Sequence, residues 1–325
     1  MASIAAVSGL ISLQFQHPSI ISHQFLPFPP KFKPIKQFKP IKSQKSDATK
    51  PKSKEPQTDD GIPIDQVKTL VKFKSRHNFI RVLEISRKSD HPFAGSRLLL
   101  LDTPGNIHSI SFLLKLLTGT YFDVFATLPP ILPPGPLGIL GFGAGSAAKL
   151  ILELYPQGTI HGWEIDPAVV SVAREYFGVG KLERKYPDRL FIYEGNALNA
   201  EIESGFSGLL VDLFSNGRVS PELQDPETWV KLKRKLRDGG RIMVNVGGSC
   251  VEAEDGRIDG RVVMEETLKA MGKVFEDQVF VLNLGSRMND SSIAVTGNLN
   301  DLDLWKENLN KSLRFYVDMW KPYSR

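Results

Sequence analysis

The spacing of apolar positions changes character along the chain. Short apolar runs at 67–73, 79–86 and 97–102, rich in Val, Ile, Leu and Phe, are broken by Asp90, His91, Pro92 and Gly95 and predict an antiparallel meander. After a Pro104-Gly105 turn, the apolar stretch 111–128 predicts a helix that stops before Pro129, with PPILPPGP as the linker beyond it. From residue 137 the pattern alternates. An apolar run at 137–140 meets a glycine cluster, a helical stretch follows at 147–154, and a second strand ends at Glu164. Asp166 and Pro167 form an N-cap and first-turn pair opening a helix to Phe177, so Asp166 is read as structural. Strands at 190–193, 209–212 and 241–246, helices at 221–236 and 264–271, and a turn at Gly239-Gly240 continue the series. Runs at 279–284 and 292–296 stand too close for a crossover and predict an antiparallel closing pair, and 302–320 predicts a last helix. The sum is an α/β fold: a small antiparallel β domain, then a mostly parallel seven-stranded sheet with an antiparallel last strand.

Composition adds a boundary. Before Asp47 there is no acidic residue, and Ser, small apolar residues and a Pro/Lys tract dominate up to KPKSKEPQTDDG. Such a segment has no periodic apolar face to bury. It resembles an organelle transit peptide of the plastid kind, which predicts the chloroplast stroma as destination. The organisation read from the sequence is therefore 1–60 transit peptide and linker, 61–130 small β-rich domain, and 131–325 sheet domain. The leader also explains the charge. The chain carries +5, but residues 1–60 hold nine Lys against four acids, leaving 32 basic and 32 acidic residues in the rest. A neutral body carries no phosphate-binding stripe, so no nucleic-acid partner is expected. No run of about eighteen apolar residues occurs, so no membrane span is expected either. The lone Cys250 excludes an internal disulfide and reads as a small packing residue, and six histidines without paired ligand spacing predict no metal site.

The glycine cluster carries the chemistry. Gly141, Gly143 and Gly145 form a shortened GxGxG between strand and helix, and Ala148 stands where the full dinucleotide fingerprint has its last glycine. Glycine lets the backbone turn sharply and approach a ligand, while Glu164, about twenty residues on, can accept both hydroxyls of a ribose. The sheet is thus Rossmann-like and the implied ligand an adenosyl nucleoside, with Phe142 a candidate to pack against it. Asp212, at the end of an all-apolar strand, falls on the same carboxyl edge.

A meander, a helix ending in YFDVFATLPP, and then GFGAG, WEID, EGNAL and LLVDLFS in that order resemble the spermidine synthase family, within the class I S-adenosylmethionine-dependent transferase fold. The resemblance covers roughly residues 79–296. It implies that residues 131–325 are the transferase domain, that Asp212 and Tyr121 are catalytic, and that Gly141, Gly143, Gly145, Glu164, Asn196 and Ala197 bind S-adenosylmethionine or its decarboxylated form. Asp123 stands where the family has glutamate. Three family acids are absent: Ala144, Asn196 and Ser215 stand at their positions. A cationic donor chain and a cationic acceptor need carboxylates to offset desolvation, and Ala144 and Ser215 supply none. Asn196 can still accept a hydrogen bond from an adenine amino group.

These departures favour methyl transfer from ordinary S-adenosylmethionine to a small acceptor, with Asp212 steering or deprotonating it. Aminopropyl transfer, with acids such as Asp123 substituting for the missing ones, is the alternative, and a fold that has lost catalysis is the third. The partner is a small molecule, with room left for a homodimer.

Overall fold

The computed structural model describes residues 62–248, 251–285 and 291–324. The transit-peptide reading of 1–60 and the packing role of Cys250 lie outside these residues.

The meander has four strands: β1 (Val67–Lys74), β2 (Phe79–Ile85), β3 (Ser96–Leu100) and β4 (Ile107–Phe112), each antiparallel to the next. The fourth corrects the sequence reading, which began a helix at 111. The strand runs through Phe112, Leu113 and Leu114 then face solvent at 51% and 86% exposure, and helix α1 is confined to Tyr121–Phe125. Asp123 explains the late start. Its carboxylate accepts the Thr118 and Gly119 amides at 2.8 Å each and the Thr118 hydroxyl at 2.7 Å, folding 118–120 into a turn with Gly119 at a left-handed φ of 72°. An apolar run alone does not report such a turn.

The large sheet is built from β5 (Leu137–Leu140), β6 (Ile160–Glu164), β7 (Leu190–Glu194), β8 (Phe206–Val211), β11 (Leu236–Gly247), β12 (Val279–Asn283), β13 (Ser292–Thr296) and β14 (Lys321–Pro322), while β9 (Phe214–Ser215) and β10 (Arg218–Val219) form a separate hairpin. Strand order is β14-β12-β13-β11-β8-β5-β6-β7. Pairings among β7, β6, β5, β8 and β11 are parallel, and β13 runs antiparallel to both β11 and β12. This is the mostly parallel sheet with an antiparallel last strand, plus a two-residue edge strand too short to leave a hydrophobic pattern. The chain leaves β5 for β6 on one side and later places β8 on the other. Ligand crevices form where strand order reverses in this way, outside the carboxyl ends.

Helices α2 (Ser146–Leu154), α3 (Pro167–Tyr176), α4 (Val179–Lys185), α5 (Pro226–Arg234) and α6 (Gly260–Phe275) make the crossovers. Asp166 caps α3 through its side chain onto the Ala168 amide, as its Asp-Pro pair predicts. The expected 302–320 helix is instead α7 (Leu302–Glu307) followed by a 3-10 helix, Lys311–Met319. The Asn308–Asn310 stretch breaks it, because Asn310 turns its side-chain oxygen onto the Ser312 amide and starts a new turn.

One core joins Ile80, Val82, Leu99 and Ile110 of the small sheet to Phe125, Ile139 and Ile151, and β4 meets the glycine loop and the start of α2 through Ser109 with Ala144 and Ile110 with Ser146. A second core is built around Phe206, Leu209, Trp229 and Met271. The proline-rich linker is tied to the sheet: Arg237 donates to the Pro134 carbonyl at 2.6 Å and Ser207 to that of Pro136 at 2.9 Å.

Candidate active site

Backbone bonds at the carboxyl edge bring the site together. The Asp212 amide donates to Leu140, the Gly141 and Phe142 amides to Trp163, and the Gly195 amide to Glu164. The residues following β5, β6, β7 and β8 are thereby stapled side by side. Gly141 and Gly143 take left-handed φ values of 89° and 54°, which only glycine adopts without strain. A Cβ on Gly141 would collide with the Asp212 carbonyl.

The resulting cleft has a volume of about 1080 Å³. Tyr121, Gly141, Gly143, Glu164, Asn196, Ala197 and Asp212 all line it. Gly145 does not: it caps α2 from behind the loop, facing Val179 and Phe142. Phe142 is likewise buried beneath the loop against Gly162, so the sequence expectation that it packs on a nucleoside is corrected.

Glu164 is a buried carboxylate aimed by the backbone. Its Oε2 accepts from Gly143 at 2.9 Å and its Oε1 from Asp166 at 3.1 Å. Burial raises its pKa, and these two amides oppose the rise. Each oxygen keeps a lone pair, as a ribose diol requires. Asn196 caps the Ala197–Asn199 turn by accepting the Leu198 amide at 2.9 Å, so its carbonyl is partly engaged. One lone pair and two donors remain for a base edge.

Asp212 sits half-buried just past the end of β8. Tyr121 donates to its Oδ2 at 2.8 Å and Asn245 to its Oδ1 at 3.0 Å. Burial pushes the carboxyl up to about 7; the Tyr121 and Asn245 hydrogen bonds pull it down, and the like charge of Glu164 adds to the rise. Such a group exchanges protons near neutral pH.

The acids absent at Ala144 and Ser215 differ in consequence. Ala144 is 3% exposed, its amide donates to Ser109 on β4 at 2.9 Å, and it is not among the residues that line the cleft. Ser215 lines the cleft, as do Glu222, Glu252 and Glu254. Asp123, weighed above as a substitute, is consumed by the Thr118–Gly119 turn and faces away.

Sequence reasoning missed Asn245, His108 and the β1–β2 turn. Asn245 left a signal: it is the lone amide in the apolar run IMVNV before Gly247-Gly248. His108 lines the cleft with its Nε2 3.6 Å from Asp102, and burial lowers its pKa. Ser75 and Asn78 of the turn donate to Asp166 Oδ2 at 2.5 and 2.7 Å, pinning the hairpin beside Glu164; nothing in the local sequence announces a contact across about ninety residues. Among the described residues no group of three or more His, Cys, Asp or Glu could hold a metal ion, and no helix is long and apolar enough to cross a membrane.

No family model matches the chain. It is 25% identical over 165 residues to a probable polyamine aminopropyl transferase of Bifidobacterium longum, covering 50% of this chain and 35% of that one. It is 28% identical over 112 residues to a polyamine aminopropyltransferase of Vibrio vulnificus, covering 33% and 36%. The matched region thus spans about a third of each curated relative. Among solved structures, a spermidine synthase in complex with the transition state analogue AdoDATO superposes with a TM-score of 0.56 at 14% identity, over 77% of this chain and 83% of that one. At that identity the likeness is one of fold.

Proposed function

We propose that this spermidine synthase-like chain, on the class I S-adenosylmethionine-dependent transferase fold, transfers an aminopropyl group from decarboxylated S-adenosylmethionine to an amine. The observation that carries the reading is the Asp212 carboxyl, held by Tyr121 and Asn245 at the switch-point cleft, where burial pushes its pKa up to about 7. A protonated amine is no nucleophile, so the reaction needs a group that takes its proton. Asp212 takes one proton from the acceptor ammonium, and the lone pair so freed forms the new C–N bond, leaving the positive charge on the product nitrogen. The donor's C–S bond breaks in the same displacement, and its electron pair neutralises the sulfonium, leaving methylthioadenosine. Glu164 and the Gly141–Gly143 backbone hold the nucleoside, and the cleft carboxylates Glu222, Glu252 and Glu254 suit a polycationic acceptor.

Methyl transfer, the expectation drawn from the missing acids, gains no support from the comparisons: both curated relatives are described as aminopropyl transferases. The acid-free leader supports action in the plastid stroma; a reporter fused to residues 1–60 should enter plastids, and cytosolic fluorescence would remove that assignment.

The decisive experiment offers the full chain decarboxylated S-adenosylmethionine with a short diamine, and in parallel ordinary S-adenosylmethionine with the same diamine. Methylthioadenosine release in the first arm supports the reading. Adenosylhomocysteine in the second, with none in the first, overturns it.

A further inference from the structure

A lone amide in the middle of an apolar strand needs a reason. Ile242, Met243, Val244 and Val246 of β11 are fully buried, and Asn245 among them is 3% exposed. A buried amide without partners is costly, and Asn245 has two. Its Nδ2 donates to Asp212 Oδ1 and its Oδ1 accepts from the Gly247 amide, both at 3.0 Å.

The second bond fixes the first. Pairing of β11 with β13 shifts register between Asn245 and Gly247, where Gly247 takes a φ of 78°. This bulge frees the Gly247 N–H from the ladder and turns it back onto Asn245 Oδ1. With the oxygen claimed by an N–H, the NH2 end must face the carboxylate; the flipped amide would set donor against donor and oxygen against oxygen. Parallel pairing of β11 with β8 runs through Val244 and Val211, so Asn245 lies one step on, abreast of Asp212.

We propose that Asn245 is a positioning residue for Asp212, holding its carboxylate in one orientation so that each oxygen keeps a lone pair toward the acceptor amine. Tyr121, from α1, grips Oδ2, while Asn245, from β11, grips Oδ1. Two donors from separate elements leave the group no free rotation. The charged group bearing on it is Glu164 on β6, whose like charge favours the protonated carboxyl; Asn245 acts in the opposite sense, as does Tyr121. The proposal takes Asp212 as the proton acceptor from the proposed function, but its first test needs no turnover.

The test follows the Asp212 carboxyl by 13C NMR in full-length protein labelled at aspartate, with Asp212→Asn to assign the signal. Asn245→Ala removes the donor, and Asn245→Asp keeps shape and the Gly247 contact while replacing donor by acceptor. The Asp212 titration should move up by about one pH unit in the first and further in the second. In the unmodified protein, the Asn245 side-chain amide 15N signal should shift through the same midpoint as Asp212, a reading that survives even if a variant does not fold. A midpoint unchanged in a folded variant, or an Asn245 signal indifferent to that titration, overturns the proposal. A second arm compares pH profiles of methylthioadenosine release, where the acidic limb should follow the NMR midpoint. No turnover in the unmodified protein, with the NMR shifts intact, would count against aminopropyl transfer and leave the positioning role standing.

Discussion

Tyr121 Oη donates to Asp212 Oδ2 at 2.8 Å, joining the first turn of α1 to the end of β8. The ring is held in place by Phe122, with centroids 4.1 Å apart, and by Phe125, edge-on at 5.5 Å. Tyr121→Phe therefore removes the hydroxyl and little else. Asp212 should hold its proton more tightly, because a hydrogen bond to the ionised form is gone. Transfer should fall by roughly 10- to 100-fold, with its acidic limb displaced to higher pH, while methylthioadenosine affinity changes little. Equal loss of binding and turnover would place Tyr121 in ligand binding instead.

Glu164→Ala should weaken methylthioadenosine binding by about 2 kcal/mol, because two charge-assisted bonds to the ribose lose their acceptor. The same change orphans the amides of Gly143 and Asp166, so a lower melting temperature accompanies it. Calorimetric titration well below that melt separates the two effects. Full affinity in the folded variant would sink the nucleoside assignment.

Gly141→Ala is expected to damage the protein through backbone, not ligand. A φ of 89° and a Cβ driven onto the Asp212 carbonyl oppose any side chain there. The strain costs about 1 to 3 kcal/mol and relaxes by moving the end of β8, so turnover should fall more steeply than nucleoside affinity. Comparing melting temperature, affinity and rate for the one variant checks this. A variant that melts and turns over like the unmodified protein would show that the loop gives way without moving Asp212.

What was legible in the sequence and what was not follows from range. The glycine loop, Glu164, the Asp166-Pro167 cap and Asp212 are local patterns, each read within one strand–turn–helix unit, and the structure lines up their ends at one edge. The four-stranded meander was half-hidden because IHSISF gives little alternation, and the LLKLL that follows reads as a buried helix although Leu113 and Leu114 face solvent. Asp123 looked like a site acid by its place in a motif; only its contacts with Thr118 and Gly119 reveal a turn-former. Asn245 and the Ser75–Asn78 latch depend on which strand ends become neighbours, which hydrophobic periodicity leaves open.

Asp212 also makes the stability of the fold depend on pH. Its carboxyl is raised to about 7 by burial, so the folded chain binds this proton more tightly than the unfolded one. The contribution to stability is fully present below about pH 4, where both states are protonated, and is lost as pH rises through about 7. Above that, the folded protein carries a desolvated charge. Asp212→Asn removes the charge and keeps the partners: its oxygen accepts from Asn245, and its NH2 donates to Tyr121 Oη with the hydroxyl turned around. At pH 8 the variant should therefore be more stable than the unmodified protein by about 1 to 3 kcal/mol, discounted for partial exposure. The gap should narrow steadily as pH falls from about 7 and close only near pH 4, and transfer should be abolished throughout. Denaturant unfolding at pH 5, 6, 7 and 8 measures it. A difference that stays constant across this range would mean that Asp212 ionises in the folded protein as freely as in the unfolded chain, and its part as a proton acceptor near neutral pH would fall with it.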